Sequence, residues 1–108
     1  MVAAVDAGRL INPDIVRQQI ESGLIWGLAA TIGDAVGFTR GLPDQPNFDG
    51  LALPRLRDMP EIEVELITSN EAPGGVAELA VPVAAPAIAN AIFSATGKRL
   101  RRLPLSLA

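Results

Sequence analysis

The chain has 108 residues, of which 49% are hydrophobic and 19% are charged, and its formal net charge at pH 7 is −3. This length and composition fit one domain with one modest core, and they argue against a disordered chain or a two-domain protein. The sequence contains no cysteine and no histidine, which excludes disulfides, zinc sites with thiolate or imidazole ligands, and nucleophilic sites with a histidine base. Aromatic residues make up only 4%, so we expect no base-stacking surface and no nucleic-acid partner.

The first part of the chain predicts a strand followed by a long helix. Val2–Val5 is a short apolar run of the kind found in buried strands. Asn12 and Pro13 are typical of a helix N-cap and of the first helical position. Apolar side chains then recur every four residues, at Val16, Ile20, Leu24, Leu28 and Ile32. Each of the helical glycines Gly23 and Gly27 costs about 1 kcal/mol relative to alanine, so we expect the backbone of a sheet or another molecule to approach this helix closely.

The rest of the chain predicts strands on either side of a second helix. Val36–Thr39 indicates a short strand, and a proline-rich loop follows it. In Glu61–Thr68 three glutamates alternate with apolar residues, which predicts a strand with one acidic face. A helix is expected over Ala85–Thr96, with Gly97 as its C-terminal cap. A final strand around Leu100–Leu105 would pair its cations with the acidic strand. The order β-α-β-β-α-β predicts an α+β fold, a split β-α-β-like sandwich.

The end of the chain combines an uncharged run with a basic cluster. Four cations occupy five positions, Lys98, Arg99, Arg101 and Arg102. This pattern is typical of a solvated strand edge and helix end, and a weaker alternative is a segment that binds anions, including phosphates or nucleic acid. The preceding run Leu79–Gly97 is as long as a membrane span, but it contains prolines and polar residues, so we expect no membrane span. No signal-peptide pattern is present at the start, and the compartment is left open.

Nine short motifs, in order along the chain, share the pattern of one enzyme family. They are Val5–Gly8, Ile11–Pro13, Gln19–Glu21, Gly27–Leu28, Asn47–Asp49, Met59–Val64, Ala72–Glu78, Ala84–Ile92 and Ala95–Pro104. With these motifs the chain resembles the C-terminal end of the molybdopterin-binding large subunit of molybdenum hydroxylases, the xanthine dehydrogenase and aldehyde oxidase family. The nearest branch is the isoquinoline 1-oxidoreductase β-subunit type. The resemblance implies that residues 1–108 are a single domain, a C-terminal fragment of such a subunit.

The resemblance implies roles for four residues. Glu78 matches the glutamate of the family's Gly-Val-Gly-Glu motif, the general base that supports hydroxylation of aldehydes or N-heterocycles with water-derived oxygen. Gln19 matches a glutamine that hydrogen-bonds the pterin, and Gly74 and Gly75 match glycines close to the metal. Taken alone, Glu78 also suits the region before a helix N-terminus, Gln19 an exposed helix face, and the two glycines an ordinary turn.

The sequence around Glu78 predicts two structural features. Glu78 lies between a glycine-rich turn and the apolar run Leu79–Val83, so we expect its side chain to be buried. Ala77 stands where the family motif has glycine. If that position uses a positive φ, alanine costs about 1 kcal/mol there or displaces Glu78.

The resemblance also implies a cofactor and partners. The cofactor is molybdenum–molybdopterin in its cytosine dinucleotide form, with no metal ligand supplied by this chain. The partners are the remainder of the large subunit, an iron–sulfur subunit and a small-molecule substrate, in the cytoplasm or the periplasm. We expect no turnover from the isolated chain, because the family's other cofactor contacts lie in segments that it lacks. The alternative is a non-catalytic assembly module that self-associates or docks on a partner through exposed apolar surface.

Overall fold

The computed structural model describes residues 1–33 and 35–107, and within them it contains four strands, two α-helices and two short 3-10 helices, Phe48–Gly50 and Leu56–Asp58. The elements are β1 (Val2–Val5), α1 (Pro13–Ile32), β2 (Phe38–Thr39), β3 (Leu42–Pro43), β4 (Glu63–Leu66) and α2 (Val81–Thr96). β1 pairs with β4 in parallel, and β2 pairs with β3 in a small antiparallel hairpin. These elements confirm the α+β class.

The acidic strand pairs with the first strand of the chain. Val2 of β1 lies opposite Glu63 of β4, and Val5 lies opposite Leu66. Parallel neighbours need a long crossover connection, and α1 lies within the segment that makes it. Val64 is buried while Glu63 is exposed, as the alternating pattern predicts. The first strand and the acidic strand are therefore confirmed, and together with α1 they form the frame of the core.

Helix α1 begins where the sequence predicts. The Asn12 side-chain oxygen accepts a hydrogen bond from the backbone N–H of Ile15 at 3.2 Å, and Pro13 occupies the first turn. The guanidinium group of Arg17 donates a hydrogen bond to the backbone carbonyl of Val64, which ties the helix to β4. The core contains only small or medium-sized apolar residues: Val5, Ala7, Ile20, Leu24, Val64, Ala80 and Ala84.

The two helices pack closely through small residues. A Cβ atom added at Gly27 would lie 2.5 Å from the Cβ of Ala84, and one added at Gly23 would lie 3.0 Å from the Cβ of Ala80. Cβ atoms essentially never approach other atoms below 3.0 Å, so Gly27 is required by this contact. The expected close approach to α1 is therefore present. It is made by a second helix, so the expectation of a sheet at this place was wrong.

Helix α2 is longer than the sequence predicts. It begins at Val81, four residues before the predicted start at Ala85, and it includes Pro86 in its interior. A proline has no N–H to bond four residues back, and its ring crowds the carbonyl there, here that of Pro82 in the first turn. The contact of Ala84 with α1 stabilises that turn. The predicted end is confirmed, because Gly97 has φ 71° and its N–H donates to the Phe93 carbonyl at 2.8 Å.

The predicted final strand at Leu100–Leu105 is absent from the described residues, and its pairing with the acidic strand was wrong. Of the basic cluster, Arg99 turns back onto α2, where its guanidinium donates to the Asn90 side-chain oxygen at 2.7 Å and lies 3.7 Å from the centre of the Phe93 ring. The Leu105 N–H donates to the Thr31 carbonyl at 2.7 Å, so the segment closes the end of α1 without extending the sheet.

The described chain leaves much apolar surface uncovered. Its Cα radius of gyration is 16.4 Å, whereas about 13 Å is typical of a compact domain of this length. Large side chains such as Trp26, Phe48 and Leu56 are 72%, 83% and 90% exposed. Neither α1 nor α2 combines the length and the apolar character that crossing a bilayer requires, so no described helix is a candidate span.

Candidate functional site

A cleft of about 240 Å³ lies between α1 and the segment that leads into α2. It is lined by Gln19, Ser22, Gly23, Trp26, Ala77, Glu78 and Val81. Gln19 and Glu78, which belong to widely separated sequence motifs, thus contribute to one cleft. The two remaining predicted residues, Gly74 and Gly75, do not line it.

One face of α1 supplies one wall of the cleft. Gln19, Ser22 and Trp26 are spaced by three and four residues, which places their side chains in one row on a helix. Gln19 is half-buried, and Trp26 is largely exposed. The neighbouring residues Ile20 and Leu24 are buried in the core, and they fix the rotation of the helix so that this row faces the cleft.

The other wall is a segment held at both ends. At its start, the Arg9 N–H donates to the Glu71 carbonyl at 2.9 Å, and the Gly74 N–H donates to the Ala7 carbonyl at 2.8 Å. Gly8, which lies between Ala7 and Arg9 in the chain, has φ 72°. A Cβ atom added there would lie 2.2 Å from the carbonyl oxygen of Ala72. The turn after β1 therefore holds the glycine-rich segment in place, and only glycine allows this contact at position 8.

At the end of the segment, the Val81 N–H donates to the Glu78 carbonyl at 3.1 Å. In α2, which follows directly, Ala84 packs against Gly27 of α1. Because Glu78 is bonded to the first residue of α2, the packing of the two helices also sets the position of Glu78. The glutamate is thereby placed at the N-terminal end of α2 and on the cleft.

The Glu78 side chain is exposed, so the expectation of burial was wrong for this chain. The apolar run after it turns its buried face towards α1, with Ala80 only 4% exposed, while Leu79 is 47% exposed. Ala77 is unstrained, because Arg40 is the only described residue other than glycine with a positive φ. Alanine at this position therefore carries no backbone penalty.

Gly74 and Gly75 are both exposed and lie outside the cleft. The N–H of Gly74 is used within the chain, by the bond to Ala7. An added Cβ at Gly75 would meet no described atom within 4 Å. The fold of this chain therefore does not itself require glycine at position 75, and a role near a metal stays a prediction.

The cleft combines a carboxylate, an amide, a hydroxyl and an indole. A carboxylate can accept a proton, and the amide of Gln19 can both donate and accept hydrogen bonds with a heterocycle. The part of the chain that the structure describes holds no group of three or more acidic, cysteine or histidine side chains suited to a metal ion. The arrangement suits proton transfer and the binding of an organic ring.

Sequence analysis did not single out Ser22 and Trp26 as residues of the cleft. Their spacing from Gln19 on the predicted helix was the available signal, because residues three, four and seven positions apart share one face. Trp26 is the sole tryptophan of the chain. Its largely exposed side chain lies in the same cleft as Gln19 and Glu78.

A family model described as a molybdopterin cofactor-binding domain matches residues 1–60. This match includes Gln19 and ends before Glu78. Isoquinoline 1-oxidoreductase subunit beta of Brevundimonas diminuta is 39% identical over 102 residues, a similarity that covers 94% of this chain and 13% of that protein. The membrane-bound aldehyde dehydrogenase (pyrroloquinoline-quinone) of Gluconacetobacter polyoxogenes is 38% identical over 101 residues, with the same two shares. The chain thus spans about an eighth of the length of these relatives.

Among solved structures, quinoline 2-oxidoreductase from Pseudomonas putida 86 superposes with a TM-score of 0.81. The superposition covers 94% of this chain and 14% of that protein, at 22% sequence identity. At this identity the likeness establishes the fold. It shows that the arrangement of helices and strands described above also occurs inside a much longer protein.

Proposed function

The chain belongs to the molybdopterin cofactor-binding domain family, and from this membership we propose that residues 1–108 are one domain, the C-terminal part of the large subunit of a molybdenum hydroxylase. In that enzyme Glu78 is the general base, and Gln19 binds the pterin. The hydroxylated substrate is an aldehyde or an N-heterocycle, with oxygen derived from water.

One observation carries this proposal. Gln19 lies inside the segment matched by the family model, and Glu78 lies outside it, yet both line the same cleft. A proton acceptor and a ring-binding amide are thus brought together by the packing of α1 on the start of α2. This pairing suits a base that acts beside an organic cofactor, because the amide can hold the ring while the carboxylate accepts a proton in the same cleft.

The residues of the cleft fit part of a pterin. A pterin ring carries hydrogen-bond donors and acceptors along its edge, which the Gln19 amide and the Ser22 hydroxyl complement. The indole of Trp26 offers a flat apolar wall. The volume of 240 Å³ lies below the roughly 300–1,000 Å³ typical of complete ligand sites. These residues would therefore hold one edge of the cofactor, and other segments of the subunit would hold the remainder.

When bound, the molybdenum cofactor supplies the redox centre that accepts the electrons of the hydroxylation. Glu78 takes up, at its carboxylate, the proton released as the water-derived oxygen attacks the substrate. Gln19 keeps the pterin oriented beside that carboxylate. Because Glu78 is exposed in this chain alone, water is excluded from it only when other parts of the subunit cover the cleft. We therefore expect the isolated chain to catalyse no turnover.

The proposal extends to the cofactor form and the partners. Relatives at 39% and 35% identity are named as subunits, of isoquinoline 1-oxidoreductase and of nicotinate dehydrogenase, which supports a multi-subunit enzyme. We propose the cytosine dinucleotide form of the cofactor and an iron–sulfur subunit that carries the electrons away. We also propose that Gly74 and Gly75 approach the cofactor, which would explain the open space beside Gly75.

The second candidate function is a non-catalytic assembly module. Its supporting observation is the uncovered apolar surface, which includes Phe48 at 83% and Leu56 at 90% exposure, because large exposed apolar areas mark interaction sites. The two candidates differ in metal content: an assembly module would be isolated with its partner and without molybdenum.

Replacing Gln19 with leucine in the complete enzyme is expected to lower cofactor affinity by about tenfold. The reason is that the pterin loses one hydrogen bond and keeps an unpaired polar group, a loss of about 1–3 kcal/mol. The neighbouring Gln18 is exposed and lies outside the cleft, so Gln18→Leu is the matched control. Molybdenum and pterin per chain, measured after extensive dialysis, should fall for Gln19→Leu alone. Equal retention in both variants would contradict the assignment of Gln19.

A further inference from the structure

The first strand has one unpaired edge. The backbone carbonyls of Met1 and Val5 accept hydrogen bonds from the N–H groups of Glu63 and Ile67, at 2.9 and 2.8 Å. In a parallel pair, alternate residues of a strand bond to the same neighbour. The N–H and C=O groups of Val2 and Ala4 therefore point away from β4, and no described strand lies on that side of β1.

An apolar groove of about 480 Å³ runs along this edge. All five residues from Val2 to Asp6 line it. Because successive side chains of a strand point to opposite faces, a groove that touches all of them follows the edge of the strand and not one face. Among the described residues that line it, Asp6 alone is charged.

The opposite wall of the groove is one face of α2. Val83 and Ala87 of α2 contribute to it, one turn apart, and Leu79 and Ala80, which directly precede the helix, extend it. Ile20 and Leu24 of α1 form the floor. Val83 is 52% exposed and Leu79 is 47% exposed, so the wall is apolar and uncovered.

An extended apolar segment would complement both the unpaired edge of β1 and the apolar wall of the groove. Its backbone can pair with the free N–H and C=O groups of Val2 and Ala4 at the usual spacing of about 4.8 Å between strands. Its side chains on one face can then cover Leu79 and Val83. A helix laid in the groove would cover the apolar wall, but it would leave the strand edge without hydrogen-bond partners.

We propose that this groove receives an extended, apolar segment of the remainder of the large subunit, which adds a third strand beside β1. The proposal rests on the proposed function, because that function supplies the missing part of the subunit. The relatives share only 13% of their length with this chain, so ample sequence is available for the segment. The radius of gyration of 16.4 Å, against about 13 Å for a compact domain, also indicates that the fold is completed by further chain.

The test isolates this 108-residue chain from its native cells together with the polypeptide that supplies the remainder of the large subunit, and compares the complex with the free chain. The two chains are expected to form a complex of equal stoichiometry. Within it, amide hydrogen exchange at Val2 and Ala4 should slow by at least about tenfold relative to the free chain, as for newly hydrogen-bonded amides. This measurement needs no substitution, so it does not depend on the folding of a variant.

A pair of variants tests the groove wall. Val83→Lys places a charge in the contact and should weaken the complex by at least about tenfold. Val36→Lys is the matched control, since Val36 has similar exposure, 44% against 52%, and lies outside the groove. Circular dichroism of both free variants checks that they fold.

Three outcomes would overturn the proposal: no complex, a complex with unchanged exchange at Val2 and Ala4, or a complex equally stable with Val83→Lys and Val36→Lys. A homodimer of this chain that protects the same amides would also overturn it, because a second copy would then be the occupant. Failure of the proposed function is distinguishable: the groove results would stand, but the complex would contain no molybdenum after supply of the cofactor.

Discussion

Replacing Glu78 with glutamine is expected to lower kcat of the complete enzyme by about 10²- to 10⁴-fold, the usual contribution of a positioned general base. Glutamine keeps the size of the side chain and its ability to hydrogen-bond, but it cannot take up the proton. The fold should be unaffected, because the Glu78 side chain is exposed and its structural bond is made by the backbone carbonyl. Steady-state kinetics with an aldehyde or N-heterocycle, together with molybdenum analysis, measures both effects.

The matched control for this prediction is Glu71→Gln. Glu71 is an exposed glutamate in the same segment, it lies outside the cleft, and its backbone carbonyl accepts the bond from Arg9. We expect its replacement to leave kcat and molybdenum content unchanged. Retained turnover in Glu78→Gln at full molybdenum content would contradict the base assignment. A loss of turnover in both variants would indicate a general effect of charge on the segment.

Replacing Gly27 with alanine is expected to lower the free energy of unfolding by about 1–3 kcal/mol, the typical cost of overpacking. Helix propensity alone predicts the opposite sign, because alanine is favoured over glycine by about 1 kcal/mol in a helix. The new methyl group would lie 2.5 Å from both the Ala84 Cβ and the Val81 carbonyl oxygen, and neither is the end of a flexible side chain. Urea unfolding followed by helical circular dichroism gives the difference.

Gly75→Ala serves as the control for packing. An added methyl group there meets no described atom within 4 Å, so we expect a change within about 0.5 kcal/mol, as for ordinary surface substitutions. Because α2 carries the end of the Glu78 segment, Gly27→Ala should also lower kcat in the complete enzyme. An increase in stability on Gly27→Ala would contradict the close packing of the two helices.

Local sequence signals predicted where most of the helices and strands lie, but they did not predict which strands pair with each other. The cap at Asn12, the proline after it and the left-handed Gly97 each act within a few residues, and the structure contains all three. The partner of the acidic strand depends on which segments share one core, and charge complementarity with the basic C-terminal segment suggested the wrong one. The start of α2 was placed four residues too late, because its first turn is stabilised by the contact of Ala84 with α1, which no local signal indicates.

The candidate site was only partly accessible from sequence. Gln19 and Glu78 came from the family resemblance, and nothing in their local sequence indicates that they share a cleft. That proximity arises from Gly23 and Gly27, whose small size brings α2 onto α1. The expectation of burial for Glu78 assumed that a neighbouring apolar run buries a side chain. In this chain the run buries Ala80 against α1 and leaves the glutamate on the open cleft.

The most direct test of the account is the molybdenum and pterin content of the enzyme purified through this chain from its native cells. Mass spectrometry of the metal, with fluorescence of the released pterin, gives both quantities per mole of chain. We expect stoichiometric molybdenum and pterin, together with a larger co-purifying polypeptide. Chain that is recovered alone or self-associated, and that contains neither molybdenum nor pterin, would contradict it.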